Sequence, residues 1–178
     1  MKPKVISEKV VYKSPITKVV SAKVKLSTGK VVDWEYIDHP DGVSVLPMDK
    51  DGNVYLCKEW RLAWKREILS VPAGQCQADD EKVRIQQVHN ELREEIGMDA
   101  RKVTKLISYF AGGKINYMPH IYLATDLFPS TKSSDENEII NVIKIPFDNA
   151  YEMFVSGRET TSGHTLIAFL MAKEKLSK

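Results

Sequence analysis

HNELREEIG, residues 89–97, is the stretch on which the reading of this chain turns. It carries three carboxylates, Glu91, Glu94 and Glu95, and stops on Gly97. In a helix each residue turns by about 100°. Glu91 and Glu95 then point the same way, with Cβ atoms about 5–6 Å apart, and Glu94 flanks their face. All three fall at the C-terminal end of such a helix, where the macrodipole is negative. Two readings are open. The acids form a solvated face on a surface helix, or they hold a divalent cation that relieves their mutual repulsion. A hard cation such as Mg²⁺ takes oxygen ligands and pairs readily with substrate phosphates.

Working outward, Asp79 or Asp80 is placed to cap this helix, and acids fill its first turn. Val83, Val88, Leu92 and Ile96 read as its apolar stripe, and Gly97 fits the position just past its end. The first 74 residues read almost wholly as β. KVVYKS, TKVVSAKVKLS and KVVDWEYI alternate as strands, with STGK (27–30) as a turn. HPDG (39–42) breaks the pattern. VSVLPM and NVYLCKEW flank DKDG (49–52) as a hairpin, and EILSVPAG (67–74) is a further short strand. Beyond the helix come VTKLISYF, the turn AGGK, the strand MPHIYLATDL, the polar loop 129–138 and the strand VIKIPF. NAYEMFVSG and HTLIAFLMAKEKL close the chain as two helices. This order implies a mixed α/β (α+β) fold with helices on a mixed sheet. It divides into an N-terminal β subdomain, 1–40, and a main domain, 41–178.

The 178 residues are 43% hydrophobic, enough for a core, and the formal net charge is only +2. A protein that binds nucleic acid through its phosphates carries a basic excess or stripe, which is missing here, so nucleic acid is not an expected partner. Cys57 and Cys76 form neither a disulfide framework nor a zinc motif, and the histidines show no metal-ligand spacing. The charged start, MKPKVISEKVVYKS, lacks the apolar core of a secretory signal. No run approaches the roughly 18 apolar residues of a membrane span. A cytoplasmic protein with no membrane partner is expected.

VPAG before the helix and Asn90-Glu91-Leu92-Arg93-Glu94-Glu95-Ile96-Gly97-Met98 at its end resemble the Nudix hydrolase box. The resemblance extends to the branch that hydrolyses ADP-ribose and other nucleoside diphosphate sugars. It rests on Gly29-Lys30 with Trp34-Glu35, on Glu59-Trp60-Arg61, on Ser70-Val71-Pro72-Ala73-Gly74 and on Glu136-Asn137-Glu138, in that order along nearly the whole chain. It implies the Nudix fold, a mixed sheet sandwiched by helices, with an N-terminal antiparallel β-ribbon or sheet that serves dimerisation. It also implies metal-dependent cleavage of a diphosphate into a nucleoside monophosphate and a sugar phosphate.

Carried over position by position, Glu91, Glu95 and the Ala73 carbonyl hold Mg²⁺ or Mn²⁺. Glu94 orients metal or water, and Glu138 or Glu136 activates the water. Trp34 reads either as a half-buried strand aromatic or, by the resemblance, as a platform for the base contributed across a homodimer. Glu35 accepts from the base, and Arg61 clamps phosphate. The box departs from the family at Asn90, which stands in the place of an arginine. The spacing from Gly74 to Glu91 is two residues longer, leaving Asp80, Glu81 or Lys82 against the family's early Glu, and Ser70 replaces a Glu. Asn90→Arg is therefore expected to raise activity unless a neighbouring cation already fills the role. The same departures motivate the alternative, a nucleotide-binding or sensing module with weakened catalysis.

Overall fold

The computed structural model describes residues 2–130 and 140–177. In chain order its strands are β1 (Lys4–Lys13), β2 (Lys18–Lys25), β3 (Val31–Asp38), β4 (Gly42–Pro47), β5 (Asn53–Arg61), β6 (Arg66–Ser70) and β7 (Ala73–Gln75). Helix α1 (Glu81–Glu95) follows, then β8 (Met98–Ser108), β9 (Ile115–Asn116), β10 (Pro119–Pro129) and β11 (Asn141–Pro146). Helices α2 (Phe147–Val155) and α3 (Gly163–Leu176) come last. Two compact units result, Met1–Asp41 with Tyr109–Met118, and Gly42–Ser108 with Pro119–Lys178.

The first unit is a sheet in the order β1-β2-β3-β9, antiparallel except for the short parallel pairing of β3 with β9. Gly29, at φ +86°, makes the turn from β2 to β3. Val20, Ala22 and Val24 of β2 alternate into the covered face. β1 is exposed along its whole length, and it carries Val5, Ile6, Val10, Val11 and Tyr12.

In the second unit one sheet runs β7-β4-β10-β8, with β4 and β10 parallel and the other pairs antiparallel. A second sheet runs β11-β5-β6, antiparallel throughout. Val43 and Val45 of β4 and Tyr122 and Ala124 of β10 share a core cluster with Val88, Leu92 and Ile96. Because strand side chains alternate, Ser44, Leu46, Ile121 and Leu123 face the opposite side of the sheet. Phe169 of α3 stacks on Phe147 and meets Phe154 edge-on, which ties the two closing helices together.

Two expectations are corrected. The DKDG turn does not join a regular hairpin. Only a single Met48–Val54 bridge forms before the strands part, β4 into one sheet and β5 into the other. All six residues of β4 are buried, so its place is in the centre of a sheet, between β10 and β7, and not in a two-stranded ribbon. Val83 does not belong to the apolar stripe of α1 and is 50% exposed. Five residues separate it from Val88, a turn of about 140°, which carries it to the far side of the helix.

Candidate functional site

Asp80 caps α1, its side chain accepting from the Lys82 N–H at 2.8 Å. Gly97, at φ +66°, turns the chain out of the helix. These two ends fix the rotation of α1, and with it the direction of each glutamate. The side chains buried on α1 are Val88, Glu91 and Leu92, so Glu91 lies on the core side and is only 7% exposed. Glu95, one turn further, projects between the directions of Glu91 and Leu92. The acidic stretch is therefore not a solvated face.

The partners of Glu95 come from β5 and from the VPAG segment, and that of Glu91 from α1 itself. The Glu95 carboxylate accepts from the Ala73 N–H at 3.3 Å and from the Cys57 thiol at 3.1 Å. Glu91 accepts from the Gln87 side-chain amide at 2.6 Å. Gly74 passes so close to Glu91 that an added Cβ there would overlap the carboxylate, lying 2.7 Å from Oε2 and nearer still to Oε1. The chain needs glycine here because a carboxylate occupies the space a side chain would take.

Burial, then the charges of Glu91 and Glu59, hold the Glu95 carboxyl well above the usual range, against the pull of the Cys57 and Ala73 donors. Burial, then the nearby Glu95, pushes the Cys57 thiol up as well. Buried carboxylates this close to one another are costly as anions unless a positive group joins them. The donor set fits a hard divalent cation in kind: two inward carboxylates beside backbone, all of them oxygen-bearing groups. Among the described residues, no three or more Asp, Glu, His or Cys side chains converge as a ready-made cage.

Glu94 is half-buried on the flank of α1. Glu136 and Glu138 lie outside the described residues. Arg61 is bonded to Glu59, two positions back on the same face of β5, and Glu59 also accepts from Ser70 at 3.4 Å. Burial and the Arg61 charge press the His164 imidazole down to about 4. The early acids are committed elsewhere. Glu81 accepts from the Tyr122 hydroxyl and from Lys105, each at 2.9 Å, and pairs with Arg84. It sits about 15 Å up the helix axis from Glu91.

Trp34 and Glu35 belong to the first unit, where Trp34 is 52% exposed. Both line a groove of about 680 Å³ together with Val5, Glu8, Tyr36, Lys114 and Asn116.

Sequence reasoning did not find Gln87, Cys57 or Glu59. Each carried a local signal. Gln87 is one turn before Glu91, and Cys57, Glu59 and Arg61 alternate onto one face of β5.

No family model matches the chain. Over 99% of its length it is 27% identical to the ADP-ribose pyrophosphatase of Bacillus subtilis (strain 168), covering 96% of that protein. It is 28% identical to the ADP-ribose pyrophosphatase of Mycobacterium tuberculosis over 68% of this chain and 59% of the relative. It is 27% identical to the CMP-5'-(N-acetyl-N-hydroxy-3-aminopropyl)phosphonate hydrolase of Streptomyces rubellomurinus over 88% of this chain and 75% of the relative. In fold it matches a crystal structure of an ADP compounds hydrolase with a TM-score of 0.87, at 21% identity, over 99% of this chain and 95% of that one.

Proposed function

We propose that this chain, a Nudix-type hydrolase similar over its whole length to an ADP-ribose pyrophosphatase, cleaves the diphosphate of ADP-ribose or a related nucleoside diphosphate sugar. Water adds to one phosphorus, the bridging P–O bond breaks, and a nucleoside monophosphate and a sugar phosphate leave. The observation that carries this reading is the inward pair Glu91 and Glu95, set against the backbone of Ala73 and Gly74.

Glu91, Glu95 and the Ala73 carbonyl are the groups assigned to Mg²⁺ or Mn²⁺. When bound, the cation supplies charge neutralisation on the diphosphate oxygens and eases deprotonation of water. Glu94 orients the water or the ligand shell, and Glu138 or Glu136 takes the proton. Arg61 suits bidentate contact with phosphate, once the substrate competes with Glu59 for its guanidinium. Trp34 offers a face for stacking on a base, and Glu35 an acceptor for the base's amino group.

The first unit serves as the dimerisation element. A ten-residue strand with apolar side chains on both exposed faces is a template for a second chain. A homodimer covering β1 removes that surface. No described helix is long and apolar enough to cross a membrane; a cytoplasmic location belongs to the proposal.

The test is release of nucleoside monophosphate from a panel of nucleotide sugars, ADP-ribose first, with Mg²⁺, Mn²⁺ or chelator. Metal-dependent release from at least one member, abolished in Glu95→Gln, is expected. No release from any member with either metal, or full turnover in Glu95→Gln, overturns the assignment.

A further inference from the structure

We infer that Gln87 and Asn90 are positioning residues that transmit the charge of Arg93 to the carboxylate of Glu91, in place of a cation adjoining it in sequence. The inference rests on the reading that Glu91 holds metal. Three hydrogen bonds run in series along α1. Arg93 Nη2 donates to Asn90 Oδ1 at 3.0 Å, Asn90 Nδ2 donates to Gln87 Oε1 at 3.4 Å, and Gln87 Nε2 donates to Glu91 Oε1 at 2.6 Å.

The direction of this chain is fixed by its ends. A guanidinium only donates and a carboxylate only accepts. Asn90 must therefore turn its carbonyl to Arg93 and its amide to Gln87, and Gln87 must turn its amide to Glu91. Each carboxamide is polarised by the one before it, and a series of bonds so aligned strengthens its members. The last bond is the shortest of the three.

Helix geometry explains why these positions suffice. A step of three residues back along the chain rotates by about 60° around the axis. Arg93, Asn90 and Gln87 thus climb from the half-exposed flank toward the core side, and the i to i+4 step from Gln87 returns to Glu91 there. The source of the charge is itself held. Arg93 Nε donates to the His89 carbonyl at 3.0 Å, and Nη1 faces Asp99 at 3.6 Å. A guanidinium at position 90 is thereby unnecessary, because the one at 93 is connected.

A further feature follows from the arrangement. Glu91 Oε1 is held by Gln87 on one side while Gly74 limits it on the other. Partners that orient metal ligands without touching the metal typically set affinity within about 10–100-fold.

The variants Gln87→Met and Asn90→Ala test this, since both replacements suit a helix at least as well as the residues they remove. Mn²⁺ binding to the metal-free protein is measured by calorimetry, alongside the melting temperature and the Mg²⁺ dependence of hydrolysis. Each single variant is expected to weaken Mn²⁺ binding by about 10-fold, with the melting temperature of the metal-free protein not lowered. Because the bonds are in series, the double variant loses no more than the weaker-binding single. Turnover at saturating Mg²⁺ falls less than the metal requirement rises. Glu91→Gln serves as the reference. If it weakens Mn²⁺ binding while the two single variants bind as wild type, the relay is overturned and the metal assignment stands. Losses that multiply in the double variant also overturn the series. If Glu91→Gln itself binds Mn²⁺ as wild type, the metal assignment of Glu91 falls, and the relay with it.

Discussion

Replacing Gly74 by alanine separates the site from the fold. Gly74 does not have the positive φ that would strain alanine. The three atoms nearest the added methyl all belong to the Glu91 carboxylate. The added Cβ would lie 2.7 Å from Oε2, whereas ordinary contact begins at 3.4 Å. That difference alone requires a retreat of 3.4 − 2.7 = 0.7 Å. Oε1 starts nearer, so the carboxylate as a whole must move by about 1 Å or more. The clash is with the mobile end of a side chain, which swings aside at little cost to stability. A displacement of about 1 Å in a catalytic group costs about 100-fold in rate. Gly74→Ala is therefore expected to fold normally by circular dichroism and to melt near the wild-type temperature. Nucleoside monophosphate release should fall by about 100-fold, and the Mg²⁺ requirement should rise. Wild-type turnover at wild-type Mg²⁺ would refute the reasoning, because it would mean that Glu91 need not occupy the place where it is seen. Loss of fold would refute it too, since the clash would then involve more than this carboxylate.

Four other outcomes are expected. The folded metal-free protein holds the Glu95 proton more tightly than the unfolded chain does, so that stabilisation is complete below the ordinary carboxyl value of 4.5 and is lost as pH rises through the raised one. Thermal melts of metal-free protein should thus fall with rising pH, Mg²⁺ should restore them, and Glu95→Gln should flatten the dependence; an unchanged slope in that variant counts against the assignment. Asn90→Arg should bring no gain in activity or in Mg²⁺ requirement, because Arg93 already reaches this position; a clear gain in an activity titration would argue that the amide series is an inferior substitute. Val10→Lys on β1 should convert the proposed homodimer to a monomer of half the mass in sedimentation, and Trp34→Ala should raise KM for the nucleotide substrate, whereas a wild-type chain that sediments as a monomer, or a dimer unaffected by the first change, would remove β1 as an interface.

The helix that carries the acids was legible because its ends are local. A capping Asp80 and a Gly97 with positive φ need only their neighbours in sequence, and the 100° step then assigns directions to Glu91 and Glu95. The alternation of β2 was legible for the same reason. What escaped depends on partners far along the chain. DKDG has the composition of a hairpin turn, yet the core claims all of β4 and gives it β10 as a neighbour. Val83 looked like core by hydrophobicity, and its angle on the helix excludes it. The Cys57 thiol on Glu95, and the Ser70 hydroxyl on Glu59, follow from how β5 lies against α1 and β6, which no spacing in the sequence states. The loss of a family glutamate at Ser70 and the acid at Glu59 are two ends of one cross-strand contact.

Arg93, Asn90, Gln87 and Glu91 all lie within residues 87–93 of a single helix, and this bears on how the site tolerates change over generations. A counter-charge supplied from another strand would be disconnected by any insertion that shifted the two segments. Here source, carriers and carboxylate are inherited together in about two turns of helix, and an indel elsewhere leaves their register intact. The stretch between Gly74 and Glu91 is two residues longer than in the resembling family. Extra residues placed ahead of Gln87 leave the series whole. The self-contained helix is thus indifferent to the length of the approach from Gly74.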